Sequence, residues 1–452
     1  TRIRGHLGSG AGGSREGVGI SINGSVQRLI KKSVFLHIFT YRVPSVFFGG
    51  GTPSLASPST IGAVLEAISK YAYLLPDAEI TLEANPTSSG ESKLQEFRDA
   101  GVNRLSVGVQ SLDNHDLQLL GRTHTASDAQ RTIEEARRIF PGRTSVDLMF
   151  GLPGQSLASW HSTLHRLMEQ CDDHVSLYQL TLERGTLMFR WKEKAQLTFP
   201  DQELTAQMYE DARQILQEAG FRQYEVSNFA RNGAVSKHNL SYWCGKQYIG
   251  MGPGAHGRFV VHTSQGKQRQ ARIQTLEPEP WMKEVGRYGH GTRKVTEQSD
   301  FDIPMDRDRA VEYRQQGGSC RGLSGSRSRH RWNRGVLQDP GPPPEPVPAC
   351  TSECISELLV LGLRTDVGIS HKVRTIAGNK LSPVISLYDL FEASQELRDL
   401  QKNGLLVLDQ NGLRCTWMGL AVLDGLLLPI LNQFQDSWTL SEKAKPHLPQ
   451  TV

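Results

Sequence analysis

Cysteine is scarce in this chain of 452 residues, and it comes late: there are six, and the first is Cys171. Scattered thiols give no disulfide framework, so a reducing compartment is expected rather than a secreted setting. No thiolate cluster can be assembled from residues 1–170. Long apolar runs are missing as well. A membrane helix needs about eighteen consecutive apolar residues, and the best stretch, Gly419–Leu431, is broken by Asp424, Gly425 and Pro429. No transmembrane segment is expected, which leaves peripheral association with a membrane open. Charge of one sign is not in excess either: 51 Lys and Arg against 47 Asp and Glu leave +4. That is too little to argue for nucleic acid as a partner.

What is present falls into blocks. Residues 1–44 begin as a Gly/Ser-rich leader, with six Arg or Lys and one acidic residue, Glu16, in the first 33. That bias suits an organellar transit segment and equally a non-native leader. From residue 45 to about 260, short β-rich runs alternate with amphipathic stretches, the pattern of βα units around a parallel sheet. Strands are expected at Ser45–Phe48, Glu79–Ala84, Arg104–Val109, Ser145–Phe150 and Val175–Thr181. Helices are expected at Ser59–Leu74, Ser92–Ala100, Ala126–Phe140, Ser156–Gln170 and Asp201–Ala219. Residues 261–354 read as a linker holding a disordered insertion rich in Arg, Ser, Gly and Pro, with Pro342-Pro343-Pro344-Glu345-Pro346 inside it. Aromatics are sparse in the insertion, with Phe301, Tyr313 and Trp332 over residues 295–350, which argues against nucleic acid. Apolar order returns over 355–440, where helices, a hairpin through Asn411-Gly412 and a further helix suggest a small winged-helix-like α+β domain. Residues 441–452 read as a tail.

The first four expected strands each end in a polar or glycine-bearing motif: Gly49-Gly50-Gly51-Thr52-Pro53, Glu83-Ala84-Asn85-Pro86, Gly108-Val109-Gln110-Ser111, and the run from Asp147 to Gln155. In a βα barrel the carboxyl ends of the strands form the binding face, so four such motifs at successive strand ends point at one site. Two later segments add to them: His238–Trp243, which reads HNLSYW, and the glycine-rich GMGPGAHG at 250–257.

Together the runs FFGGGTPSL, GVNRLSVGVQSLD, LGRTH, DLMFGLPGQ and HNLSYW resemble the radical S-adenosylmethionine family of oxygen-independent coproporphyrinogen oxidases, and within it the HemW-type heme chaperones. The resemblance implies a partial parallel (β/α) barrel and S-adenosylmethionine and heme as ligands. It also implies heme-receiving proteins as partners and a [4Fe–4S] cluster held by C-x3-C-x2-C. It carries S-adenosylmethionine contacts onto Gly50, Gly51, Thr52, Glu83, Gln110, Arg122 and Asp147, with His256 on the adenine side. It makes His238 an iron ligand, with Tyr242 and Trp243 against the porphyrin face. Taken alone, HNLSYW reads as a buried histidine among core aromatics.

The chain departs from this pattern before Ser45. The resembled family has a first strand, a cysteine loop and a helix there. Here the candidate strand Val34–Phe39 is followed by only the five residues Thr40–Pro44, whereas a parallel crossover takes about a dozen or more. The barrel is therefore expected to lack its first βα unit. Cys350 and Cys354 make a C-x3-C pair, but they lie in the linker and have no third partner. No catalytic residue and no ligand for the iron–sulfur cluster is assigned. The expected function is a heme chaperone without radical chemistry. A coproporphyrinogen III oxidase-like enzyme of porphyrin biosynthesis is the first alternative, and an inactive isoform the second.

Overall fold

The computed structural model describes residues 42–302 except 89, 264–265 and 299, and 352–443 except 372–373, 378–379, 382–386 and 392–393. The candidate strand Val34–Phe39, most of the leader, the proline run and Cys350 lie outside the described residues.

Strands β1 (Arg42–Phe48), β2 (Tyr73–Ala84), β3 (Arg104–Gln110), β4 (Thr144–Phe150) and β5 (His174–Gln179) are all parallel. Helices α1 (Pro58–Tyr71), α2 (Glu91–Asp99), α3 (Asn114–Leu119), α4 (Ala126–Ile139) and α5 (Leu157–Gln170) lie on the crossovers between them. After α6 (Leu187–Glu193) and α7 (Gln202–Glu218), the short strands β6 (Arg222–Glu225) and β7 (Asn228–Ala230) extend the sheet antiparallel. The strand order is β1-β2-β3-β4-β5-β7-β6, so among the described residues the GGGTP strand is the edge.

Helix starts follow the sequence closely. Ser57 accepts the Thr60 amide at the head of α1. Thr125 and Asp128 form a reciprocal capping box on α4, as Ser156 and Ser159 do on α5. The first expected helix stops three residues early. Tyr73 and Leu74 are drawn into β2 by pairing with Arg42 and Val43, and the register then jumps to Ser45 opposite Glu79, past Pro76.

Period-2 alternation gives the sheet two unlike faces. Leu82, Leu105, Val107, Val146, Leu148, Val175 and Leu177 point to one side. There they meet Leu65, Phe97, Ile133, Trp160, Leu164, Met208 and Leu216 of the helices in one core. Trp160 fixes α5 on α7 by donating its ring N–H to the Met208 carbonyl at 2.8 Å. The opposite face is polar. It carries Glu79, Thr81 and Glu83 on β2, Arg104 and Ser106 on β3, Ser145 and Asp147 on β4, and His174 and Ser176 on β5.

Helix α8 (Lys237–Trp243) carries the HNLSYW run. The stretch expected to be a linker from 261 is structured well beyond that point. β8 (His256–Thr263), β9 (Gly266–Gln274) and β10 (Thr292–Gln298) form an antiparallel sheet, with α9 (Pro278–Tyr288) on the connection. Strand β9 reads GKQRQARIQ, so its long polar side chains hide the alternation that marks a strand. β11 (Asp300–Asp302) pairs with β12 (Arg374–Ala377), which pairs with β13 (Lys380–Leu381).

The terminal segment supplies α10 (Ser352–Gly362), α11 (Leu387–Phe391), α12 (Gln395–Lys402), the hairpin β14 (Leu406–Asp409) and β15 (Gly412–Cys415), α13 (Trp417–Ala421) and α14 (Leu423–Lys443). Leu359, Leu363, Phe391, Leu397, Leu413, Ile430 and Phe434 form its separate core.

Candidate functional site at the carboxyl ends of the strands

The glycine turn after β1 is bonded to the end of β2. The Gly50 amide donates to Glu83 Oε2 at 2.9 Å. Gly50 and Gly51 have φ of 81° and 65°, left-handed values that glycine adopts without steric cost. A Cβ at either would point into open space, so the turn presents bare backbone to whatever lies in front of it. Gly49 is required for closeness: its Cβ would fall 2.4 Å from the Phe47 ring and 3.0 Å from Glu83 Oε1. Thr52, half-buried, precedes the single turn Pro53–Leu55. Ser54, fully buried, accepts the Asn85 amide at 3.0 Å and locks the GGGTP and EANP loops together.

Asp147 sits deeper on the same polar face. It accepts Ser106 Oγ at 3.0 and 3.2 Å, and Ser176 stands opposite it on β5. Burial pushes its carboxyl up to about 6. The charge of Glu83 adds to that rise, while Ser176, Ser106 and Arg122 oppose it. Arg122 is half-buried and lies within electrostatic range of Asp147. Burial lowers its own pKa, yet a guanidinium stays charged. Its loop is pinned by buried His124, whose Nε2 bonds to the Val109 carbonyl at 3.1 Å. Gln110 ends β3 just beyond a register shift, with φ of 69° and 7% exposure.

The structure thus joins Gly50, Glu83, Asp147 and Arg122 through bonds and fields, with Thr52 and Gln110 on the flanking loops. His256 stands apart: it is exposed and opens β8 of the second sheet, paired with Ile273.

The HNLSYW residues divide. His238, half-buried, stacks on Phe47 with ring centroids 4.2 Å apart and planes at 11°. Tyr242 meets the imidazole edge-on at 5.1 Å and contacts Tyr248 at 4.2 Å. Trp243 goes inward, 7% exposed, into a core cluster with Tyr224, Ala230, Leu240 and Cys244. Of the two aromatics expected beside a porphyrin, only Tyr242 therefore adjoins the imidazole. The sequence reading missed Phe47, Glu79, Ser106 and Ser176, all on the polar side. The alternation within the expected strands places Glu79 on the face of Glu83, and that was the available signal.

The donor set fits S-adenosylmethionine. A guanidinium suits its carboxylate, carboxylates suit its ammonium group and ribose hydroxyls, and the bare glycine backbone admits a close approach. Among the described side chains, no set of cysteines matches an iron–sulfur cluster. The described free cysteines, Cys171, Cys244 and Cys415, are buried in three different apolar clusters. Burial raises Cys171 to about 11 and Cys415 to about 12, the reverse of what a thiolate ligand needs.

Fold and strand-end residues together define a radical S-adenosylmethionine scaffold, and the model of the Radical SAM superfamily matches residues 18–167. The chain is 52% identical over 397 residues to the mitochondrial radical S-adenosyl methionine domain-containing protein 1 of Bos taurus, covering 88% of this chain and 77% of that one. It is 38% identical to the heme chaperone HemW of Escherichia coli over 272 residues, 60% of this chain and 69% of the relative. Coproporphyrinogen III oxidase (HemN) of Escherichia coli, a solved structure, superposes with a TM-score of 0.60 at 19% identity, covering 91% of this chain and 82% of that one. The chain belongs to the family of radical S-adenosyl methionine domain-containing protein 1 and HemW.

Proposed function

We propose that this chain is a mitochondrial heme chaperone: it binds heme through His238, hands it to heme-receiving proteins, and carries an S-adenosylmethionine pocket next to the heme site. The observation that carries this reading is the His238 imidazole, held by Phe47 and Tyr242 beside the strand-end cluster. Neutral imidazole is a common iron ligand. Relatives named heme chaperone and mitochondrial support the reading.

In this reading Glu83 and Asp147 face the hydroxyl and ammonium groups of S-adenosylmethionine. Arg122 takes its carboxylate, Gln110 and Thr52 flank it, and Gly50 and Gly51 form the floor. S-adenosylmethionine, when bound, supplies a sulfonium that an electron donor can cleave. His256 is kept as an adenine-side contact and Trp243 as the inner support of α8. No radical step is assigned, because residues 1–170 contain no cysteine and the described thiols do not converge. The oxidase reading needs that cluster, so the chaperone reading is preferred.

The test is a ferric heme titration followed by absorption. Wild type should bind near one equivalent, and His238→Ala should lose the histidine-ligated spectrum. Unchanged spectra in the variant would remove the proposed ligand. Anaerobic reconstitution with iron and sulfide should leave far less than one cluster per chain. A stoichiometric cluster would restore the oxidase reading.

A further inference from the structure

We propose that Glu79 and Phe47 are positioning residues for the His238 imidazole, the first gripping its backbone and the second its ring. The inference rests on the heme reading of His238 and concerns what aims that side chain.

Glu79 is 1% exposed and belongs to no motif. Its Oε1 accepts the His238 amide at 2.9 Å and Ser236 Oγ at 3.3 Å, and its Oε2 accepts the Lys237 amide at 3.0 Å. A strand carboxylate thus receives the opening amides of α8, where the helix termini leave donors unpaired and a negative charge is favoured. Ser236 caps the next amide, that of Asn239, at 3.1 Å. Arg104, 1% exposed, completes the grip from the other side. It lies 3.6 Å from Glu79 and donates to the carbonyls of Ala234 at 2.9 Å and Val235 at 3.4 Å. Arg143 lies 3.7 Å from the same carboxylate. Chain 234–238 is therefore bonded at both carbonyl and amide ends by one buried ion pair on adjacent strands.

Such a pair is poor evidence for stability, since desolvation offsets the attraction. Fixing a register is its better-attested use. Here the register fixed is that of His238.

The ring is held separately. Phe47 lies parallel to the imidazole at 4.2 Å on one side, and Tyr242 meets it edge-on at 5.1 Å. Phe47 is itself wedged against Gly49, where a Cβ would fall 2.4 Å from its ring. One phenyl ring is thereby shared between the glycine turn and the histidine, so the two proposed ligand pockets have a common wall. A metal-binding imidazole depends on outer contacts for its orientation, and losing one typically costs about tenfold or more in affinity.

The experiment titrates the full chain with ferric heme, reading affinity by absorption and axial ligation by electron paramagnetic resonance. The variants are Phe47→Leu, Phe47→Tyr, Glu79→Gln and His238→Ala. Phe47→Leu should weaken binding about tenfold and change the histidine-ligated resonance, and Phe47→Tyr should restore both. Glu79→Gln should shift the resonance in the same way. If it fails to melt cooperatively, the two Phe47 variants decide the matter. Should His238→Ala lose the signature while Phe47→Leu and Glu79→Gln match wild type in affinity and resonance, this inference is overturned and the heme reading stands. Should His238→Ala leave the spectra unchanged, the heme reading falls and takes this inference with it.

Discussion

At the scale of single residues, the site stores backbone strain and unfavourable charge. Gln110 holds φ of 69°, a conformation costing a non-glycine residue about 1 kcal/mol or more. Glycine at that position should be neutral to slightly stabilising in thermal melts, yet S-adenosylmethionine affinity should fall. A variant that is less stable and binds equally well would assign Gln110 a packing role. Asp147 gives a pH signature. Its carboxyl is near 6 folded against 3.8 in the ordinary state, so between those values the folded protein binds the extra proton. Stability contributed by this group is therefore greatest below about pH 4 and falls as pH rises to about 6, then is flat. Asp366, also raised to about 6 by burial, acts with the same sign. The difference between wild type and Asp147→Asn isolates the site residue. In calorimetric titrations, S-adenosylmethionine affinity should drop below pH 6 in wild type and be insensitive to pH in Asp147→Asn.

At the scale of elements, the parallel part of the molecule was legible because its signals are local. Ser57, Thr125 and Ser156 begin helices where the sequence places them, and Val107, Val146 and Val175 mark strands buried on one face. The Asn411-Gly412 step likewise marked the β14–β15 hairpin, whereas the antiparallel pieces from β6 to β10 were not legible. β6 and β7 have four and three residues, too short for a period, and β9 is lined with Lys, Gln and Arg. The Glu79–Arg104 pair escaped for another reason: its meaning lies in long-range bonds to residues 234–238, which no local pattern encodes. Arg104→Leu should expose that dependence. Among the described residues it leaves the half-exposed Arg143 as the cation paired with the buried Glu79 carboxylate, and a loss of about 3–5 kcal/mol is expected in chemical denaturation. Arg143→Ala, at a half-exposed side chain, should cost under about 1 kcal/mol. Equal losses in the two variants would refute the asymmetry.

At the scale of the whole molecule, the terminal unit backs the helix that carries His238. Leu361 packs onto the cluster of Tyr224, Leu240 and Trp243, and Arg364 lies 5.6 Å over the Trp243 ring. Val226 packs on the terminal core, Glu225 bridges to Thr365 and β11 pairs with β12, and arginines add to the contact. Arg222 pairs with Asp366 at 2.8 Å, and Arg258 pairs with Glu357. Arg213, 2% exposed, is the central one: its guanidinium stacks 3.9 Å over Trp417, donates to the Trp417 carbonyl, and donates to Gln223 Oε1 at 2.7 Å. The terminal core is apolar and built mostly from its own residues, so a break in this seam should loosen the unit without unfolding it. Arg213→Ala removes a desolvated cation–π contact and charged hydrogen bonds together worth about 2–4 kcal/mol. Limited proteolysis should then free a fragment near residues 352–443 faster than from wild type. Amide exchange should rise in α8 and α10 while β2 to β4 stay protected. Uniform loss of protection across the sheet would instead mean that the two cores fold as one unit.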